Sequence, residues 1–188
     1  MKLLQRKIDS ILKEWKKNEN RLPLIVKGAR QVGKTASILQ FAHSNYKNVV
    51  AINFVLQPKY KAIFEEGYEV DDIIRNLTLI DPSLKIEPTN TLIFFDEMQD
   101  CPACATSLKA FKIDGRYDVI CSGSLMGINY QEIESNSVGY KEDYTMHSMD
   151  FEEFLWAKGY DSSFINSIKK KMTTVTPLTR IEMDILEK

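Results

Sequence analysis

Residues 28–35 read GARQVGKT and stand between a short apolar run, LIV at 24–26, and a helix-compatible stretch, ASILQFA at 36–42. Two glycines, a lysine and a hydroxyl at the spacing GxxxxGK[ST] suit a loop that wraps an anion with inward-facing N–H groups. Such a loop works only between the end of a strand and the start of a helix. The flanking runs supply that context, so an ordinary turn with a solvated lysine is the weaker reading. Gly28 and Gly33 let the backbone turn tightly, and the positive end of the following helix adds to the cradle. Lys34 is positioned to reach β- and γ-phosphate oxygens, and the Thr35 hydroxyl suits a Mg²⁺ ion bridging the same phosphates. The candidate nucleotide-binding residues are Gly28, Ala29, Arg30, Gln31, Val32, Gly33, Lys34, Thr35 and Ala36.

A second motif narrows the chemistry. Residues 91–99, TLIFFDEMQ, form an apolar run of the kind buried on both faces of a sheet, ending in two adjacent carboxylates. Asp96, at the strand's end, suits a role beside Mg²⁺, holding a coordinating water or the Thr35 hydroxyl. Glu97 points elsewhere and can deprotonate an attacking water. P-loop kinases and many GTPases lack a glutamate here, so the pair favours hydrolysis. A third run, DVICSGS at 118–124, is β-branched and ends in small polar residues. Its tip fits a sensor of the γ-phosphate, with Ser124 the first choice and Ser122 the second, although Ser-Gly-Ser also makes ordinary turns.

Periodicity organises the rest. Leu3, Leu4, Ile8, Ile11, Leu12 and Trp15 recur at helical spacing and predict an N-terminal helix that packs one face. Residues 49–54 predict a second strand, 58–65 a short helix, 71–79 a helix with Ile73, Ile74 and Leu77 inward, and 105–111 a helix between the acidic and sensor strands. This alternation predicts an α/β fold with a parallel sheet and right-handed crossovers. Residues 127–143 are polar and aperiodic, which predicts a mobile loop. A last strand is expected at 144–147, with His147 as a strand residue. Asp150 and Glu153 then stand at capping-box spacing before a helix at 151–157 whose buried face is Phe151, Phe154 and Leu155. That spacing makes Glu152 and Glu153 structural rather than catalytic. A final helix is expected at 177–187.

In this order and spacing, GARQVGKT, TLIFFDEMQDCP, TSLKAF, CSGSLMG and MDFEEFLWAKG resemble the prokaryotic AAA-superfamily ATPases whose ATPase domain precedes a C-terminal domain called DUF4143. The resemblance runs from about Arg21 onward. It implies a three-layer P-loop NTPase of the AAA/ASCE type with strand order 5-1-4-3-2, and ATP hydrolysis with Mg²⁺. It also implies a linker at Arg21-Leu22-Pro23 near the adenine. The chain departs from that family's pattern in three places. Basic residues usual after the Cys-Pro are replaced by Ala103-Cys104-Ala105. Gly139-Tyr140 stands where relatives have Gly-Arg or Gly-Lys, which leaves Lys141 one position late and removes a secure arginine finger. The sequence also stops at Lys188, before the relatives' further domain. The expected division is residues 1–20 as a helix on the core, 21–160 as the ATPase domain, and 161–188 as the helical start of a C-terminal region.

With 188 residues, 44% hydrophobic, the chain can bury a sizeable core without disulfides. No run approaches a membrane span, and residues 1–17 are too charged for a signal peptide, so a cytoplasmic location and no membrane partner are expected. The net charge of −1 gives no basic surplus, which argues against direct nucleic-acid binding. Cys101-Pro-Ala-Cys104 could support redox or zinc chemistry, but zinc would need two more ligands from Cys121, His43 or His147, so reduced thiols near the core are preferred. Two function classes follow. One is a Mg²⁺-dependent ATPase with Lys34, Glu97 and Ser124 as catalytic residues and Thr35 and Asp96 at the metal. The other is a nucleotide-gated interaction module that hydrolyses little. A protein partner engaged through the C-terminal region and a homo-oligomer are compatible with both.

Overall fold

The computed structural model describes residues 4–124 and 139–187. They belong to two compact units, Ile8–Ser148 on one hand and Met1–Lys7 with Met149–Lys188 on the other. In the larger unit the described elements are α1 (Ile8–Lys17), β1 (Leu24–Gly28), α2 (Lys34–Asn45), β2 (Asn48–Asn53), a 3₁₀ segment (Pro58–Phe64), α3 (Val70–Ile80), β3 (Thr91–Asp96), α4 (Ala103–Asp114), β4 (Asp118–Ser124) and β5 (Glu142–Thr145).

The five strands form one sheet in the order β2-β3-β4-β1-β5, every pairing parallel. Read from the other edge, this is the expected 5-1-4-3-2. Parallel neighbours cannot be joined by a tight hairpin, so the chain must cross over between strands, and α2, α3 and α4 provide the crossovers after β1, β2 and β3. Successive side chains of a strand point to opposite faces, and the two cores divide accordingly. Leu24 and Val26 of β1, Leu92 and Phe94 of β3, and Ile120 of β4 pack with Ile8, Leu12 and Trp15 of α1 and with Ile38 and Phe41 of α2. Ile25, Ile93, Phe95, Val119 and Cys121 face the other way, onto Ile73 and Leu77 of α3 and Leu108 and Phe111 of α4. Helices thus cover both faces of the sheet. The chain has the three-layer α/β fold of P-loop NTPases.

The N-terminal helix starts later than its pattern suggests. It begins at Ile8, and Leu4 lies outside it and half exposed; Leu3 is outside the described residues. Of the predicted mobile loop, residues 127–138 also lie outside the described residues. Its remainder enters β5, which begins at Glu142 and ends at Thr145, so His147 follows the strand.

The smaller unit contains α5 (Phe151–Ala157), α6 (Ser162–Thr173) and α7 (Arg180–Leu186). The capping box that opens α5 is formed: Asp150 accepts from the Glu153 N–H at 2.9 Å and Glu153 from the Asp150 N–H at 3.0 Å. The expected burial of α5 is partly overturned. Leu155 is buried, but Phe151 and Phe154 are 55% and 45% exposed, and Glu153 takes an interior position. Its carboxylate also accepts from the Lys7 N–H at 2.7 Å and pairs with Arg6. A carboxylate paired on this scale can be buried, which a count of apolar residues does not reveal. Among the described residues no helix is long and apolar enough to cross a membrane.

Candidate functional site

All five strands run the same way, so their C-terminal ends form one edge of the sheet, where ligands of open α/β sheets collect. Every residue singled out from the phosphate loop, the acidic strand and the sensor strand lies at or just beyond that edge.

The loop leaves β1 at Gly28, whose backbone is approached by the next strand's exit. The Met146 N–H donates to the Lys27 carbonyl at 2.7 Å, and a Cβ on Gly28 would stand 2.2 Å from the Met146 oxygen. Glycine is required there by this contact. Gly33, at φ 99°, is the second constrained position and serves as the N-cap of α2. Between them Ala29, Arg30 and Gln31 are exposed, with Gln31 also left-handed at φ 63°, and Val32 is partly buried; Ala36, in α2, is partly buried as well.

Lys34, the first residue of α2, is buried, and its ammonium donates to the carbonyls of Gly28 and Ala29 at 3.0 and 2.8 Å. Burial pushes it below the usual lysine range, against the opposing charges of Glu97 and Asp96. The cation is thus held against the carbonyls of the loop that precedes it.

Asp96 is the hub of the edge. Its Oδ2 accepts from Thr35 Oγ1 at 3.0 Å and from Asn53 Nδ2 at 3.0 Å. Its Oδ1 accepts from the Glu97 N–H at 3.1 Å and from the Ser122 hydroxyl. Asp96 is 5% exposed, and four donors from β2, β4, α2 and its own successor hold its carboxylate oriented. The expected pairing of Asp96 with Thr35 is present. Ser122, the second choice for the sensor, is instead bonded to Asp96.

Glu97 turns out of the strand with φ 56° and ψ 46°, a left-handed conformation that costs a non-glycine residue on the order of 1 kcal/mol. Its Oε2 accepts from Gln99 Nε2 at 2.5 Å. Ser124, the first choice for the sensor, is buried at the end of β4, and its N–H donates to Gln99 Oε1 at 3.3 Å.

Two participants escaped the sequence reading, Asn53 and Gln99. Asn53 ends β2 opposite Asp96 in the strand register. A polar residue closing an apolar run is the signal that could have marked it, because parallel strands end at the site edge. Gln99 lay within the quoted acidic motif but received no role.

Three other expectations end differently. Arg21 pairs with Asp118, at the start of β4 and hence at the opposite end of the strands from the loop. The segment 21–23 therefore lies at the end of the strands away from the phosphate loop. Lys141 pairs with Asp143, so the late basic residue is engaged within β5's own approach. Cys101, Cys104 and Cys121 are buried in the core between the sheet and α4, with the sulfurs of Cys104 and Cys121 3.7 Å apart. Burial raises the thiols of Cys101 and Cys104, the opposite of what nucleophilic thiol chemistry needs.

Among curated proteins none matches the sequence. Solved structures that share the fold include the following two. The Aeropyrum pernix ORC1 protein, in complex with DNA, superposes with a TM-score of 0.51 at 12% identity, covering 84% of this chain and 50% of that one. The Pif1 helicase of Candida albicans does so with a TM-score of 0.52 at 12% identity, covering 88% and 43%. The chain thus spans about half the length of the structures it resembles. A family described as AAA domain matches residues 20–155. That stretch includes β1 to β5, the phosphate loop, both carboxylates and both serines at the edge, and the chain is a member of this AAA family of nucleotide-binding proteins.

Proposed function

We propose that the chain binds ATP in the loop of residues 28–36 and, with Mg²⁺, hydrolyses it to ADP and phosphate. The observation that carries this reading is the 3.0 Å bond between Thr35 Oγ1 and Asp96 Oδ2, residues 61 positions apart. It joins the hydroxyl of the phosphate loop to the carboxylate of the acidic strand. A hydroxyl and a carboxylate are the hard oxygen donors that Mg²⁺ takes in phosphate sites, so Thr35 and Asp96 fit the metal. When bound, Mg²⁺ neutralises charge on the phosphates.

The other roles follow from position. Lys34 exchanges two carbonyl partners for phosphate oxygens, which relieves a buried cation of its weakest compensation. Glu97, beside the loop and partly exposed, takes a proton from the attacking water. Ser124 reads the γ-phosphate from the tip of β4.

A second reading, a nucleotide-gated module with little hydrolysis, is favoured by the engagement of Lys141 with Asp143. An arginine finger can be worth roughly 10³-fold or more in rate. The resemblance to ATPases that precede a DUF4143 domain, with the functional domain at 21–160, extends the proposal to a protein partner engaged through that domain. It extends also to cytoplasmic action and self-association. DNA is not part of the reading, since the chain has no basic surplus.

Phosphate release from ATP by the purified chain tests the choice. Glu97→Gln is expected to retain ATP and lose turnover, and Lys34→Ala to lose both. Turnover indifferent to Glu97→Gln would refute the base, and release no faster than that variant's would favour the module.

A further inference from the structure

We infer that Gln99 is a positioning residue that fixes the Glu97 carboxylate against the tip of β4, an inference that rests on the hydrolytic reading above. One side-chain amide joins the two elements. Gln99 Nε2 donates to Glu97 Oε2 at 2.5 Å and to Asp100 Oδ2 at 3.0 Å, while Gln99 Oε1 accepts from the Ser124 N–H at 3.3 Å. The amide has only one orientation compatible with these neighbours. Two carboxylates need the NH₂ end and a backbone N–H needs the oxygen, so flipping the group would turn every one of the contacts repulsive.

The surroundings are shaped for this strut. A Cβ on Gly123 would stand 3.1 Å from Gln99 Oε1 and 3.3 Å from Met98 Cγ, so the small residue between Ser122 and Ser124 leaves the amide its room. Gln99 itself lies in the 3₁₀ turn Met98–Asp100 that follows Glu97, closed by the Asp100 N–H on the Glu97 carbonyl at 3.0 Å. Glu97 is therefore fixed at both ends, its backbone by the turn and its carboxylate by Gln99. A general base gains from such restraint because a displacement of about 1 Å can cost two orders of magnitude in rate. The strut also carries information in the other direction. Any displacement of Ser124 moves the acceptor–donor pair that holds Glu97, so the sensor strand and the base respond together.

The test uses the whole chain and three variants. Gln99→Met keeps the length and removes both hydrogen-bonding ends. With it, ATP affinity is expected to stay within about twofold while kcat falls by roughly 10²-fold. A purely structural role would weaken binding or melt the fold instead. Should Gln99→Met fold poorly, Gln99→Asn keeps the amide but is one methylene too short to span both partners, and the same split is expected.

A readout independent of turnover is the backbone amide resonance of Ser124 in the ¹⁵N-labelled protein without nucleotide. Glu97→Ala is expected to move it when Gln99 is present, and to move it at least about threefold less in the Gln99→Met background, as for any pair coupled through a shared partner. Equal displacement in the two backgrounds, or an unchanged kcat in Gln99→Met, overturns the inference. Turnover that survives Glu97→Gln would sink the assignment of Glu97 as the base and leave the strut standing, because the resonance experiment decides the strut by itself.

Discussion

Replacing Asn53 by aspartate, beside the control Asn53→Ala, separates the two things this side chain does. Its Nδ2 donates to Asp96 Oδ2 at 3.0 Å, and its Oδ1 accepts from the N–H groups of Val55 and Leu56 at 3.0 and 2.9 Å. Alanine removes all three bonds. The bond to a carboxylate is worth about 1.5–3 kcal/mol, and the two neutral ones less than about 1 kcal/mol each because water can replace them at the exposed Val55 and Leu56. Asn53→Ala is therefore expected to lose about 2–3 kcal/mol at every pH where the carboxylate is ionised.

Aspartate keeps both acceptor bonds, so the turn after β2 survives, but it sets a second carboxylate about 3 Å from the first. At an effective dielectric near 20 the repulsion is about 5 kcal/mol. The pair can escape it by keeping one proton, at a cost of about 1.4 kcal/mol for each pH unit above the ordinary carboxylate value near 4. Near neutrality the cheaper route costs about 4 kcal/mol, and it shrinks steadily towards pH 4. The sign is fixed by linkage: the folded variant holds a proton that its unfolded chain has released, so stability falls as pH rises from about 4 to 7. Urea denaturation followed by far-UV circular dichroism at pH 4.5, 6 and 7.5 measures this. Asn53→Asp should approach wild type at the lowest pH and fall below Asn53→Ala at the highest. Equal destabilisation across the range would show that the two carboxylates do not meet, and that the hydrogen bond to Asp96 is not as drawn.

Gly28→Ala should prevent ordinary folding of the β1–β5 junction, because its Cβ would stand 2.2 Å from the Met146 oxygen; soluble yield and nucleotide retention should fall together, and a well-folded variant with intact binding would refute the close approach. Phe95→Ala should cost about 3–5 kcal/mol in urea denaturation, since its fully buried ring meets Phe54, Phe64 and Phe111 at centroid distances of 5.6, 5.9 and 6.3 Å. In the smaller unit Asp150 is held below the usual carboxylate range, first by its bond from Lys7 and then by the Glu153 N–H. Its contribution is present above about pH 4 and lost as pH falls through its lowered value. Asp150→Asn should therefore flatten the acid limb of that unit's unfolding, read by helix signal, and an unchanged limb would argue against the cap.

What could be read from the sequence was what is contiguous in it. The loop of residues 28–35 carries its anion-binding geometry within eight positions, and β3 announces itself by an apolar run that ends in charge. The partnership of Thr35 with Asp96 could be anticipated because each motif brings its own strand end to a common edge. Asn53 was not legible for a different reason. Nothing local distinguishes an asparagine at a strand's end from one in a loop, and its role depends on β2 lying next to β3 in a register that places Asn53 opposite Asp96. Phe151 and Phe154 were misread because periodicity assumes that the apolar face is the buried one. In a seven-residue helix, the bonds to Glu153 from Lys7 and Asp150, with the ion pair to Arg6, decide the rotation instead.

The same distinction explains how the edge is built. Asp96 takes its four donors from α2, β2, β4 and the next residue, and Glu97 is tied through Gln99 to β4. Apart from the Glu97 N–H on Asp96 and the Gln99 amide on Glu97, which are local, these links cross between segments that are distant in sequence. Displacing any strand tip therefore changes the orientation of one of the two carboxylates. Under the proposed function, binding depends most on Lys34 and the loop, which are local, whereas turnover depends on the cross-strand bonds, which are not. A substitution at Asn53, Gln99 or Ser122 should for that reason separate nucleotide affinity from hydrolysis, while one at Gly28 or Lys34 should remove both.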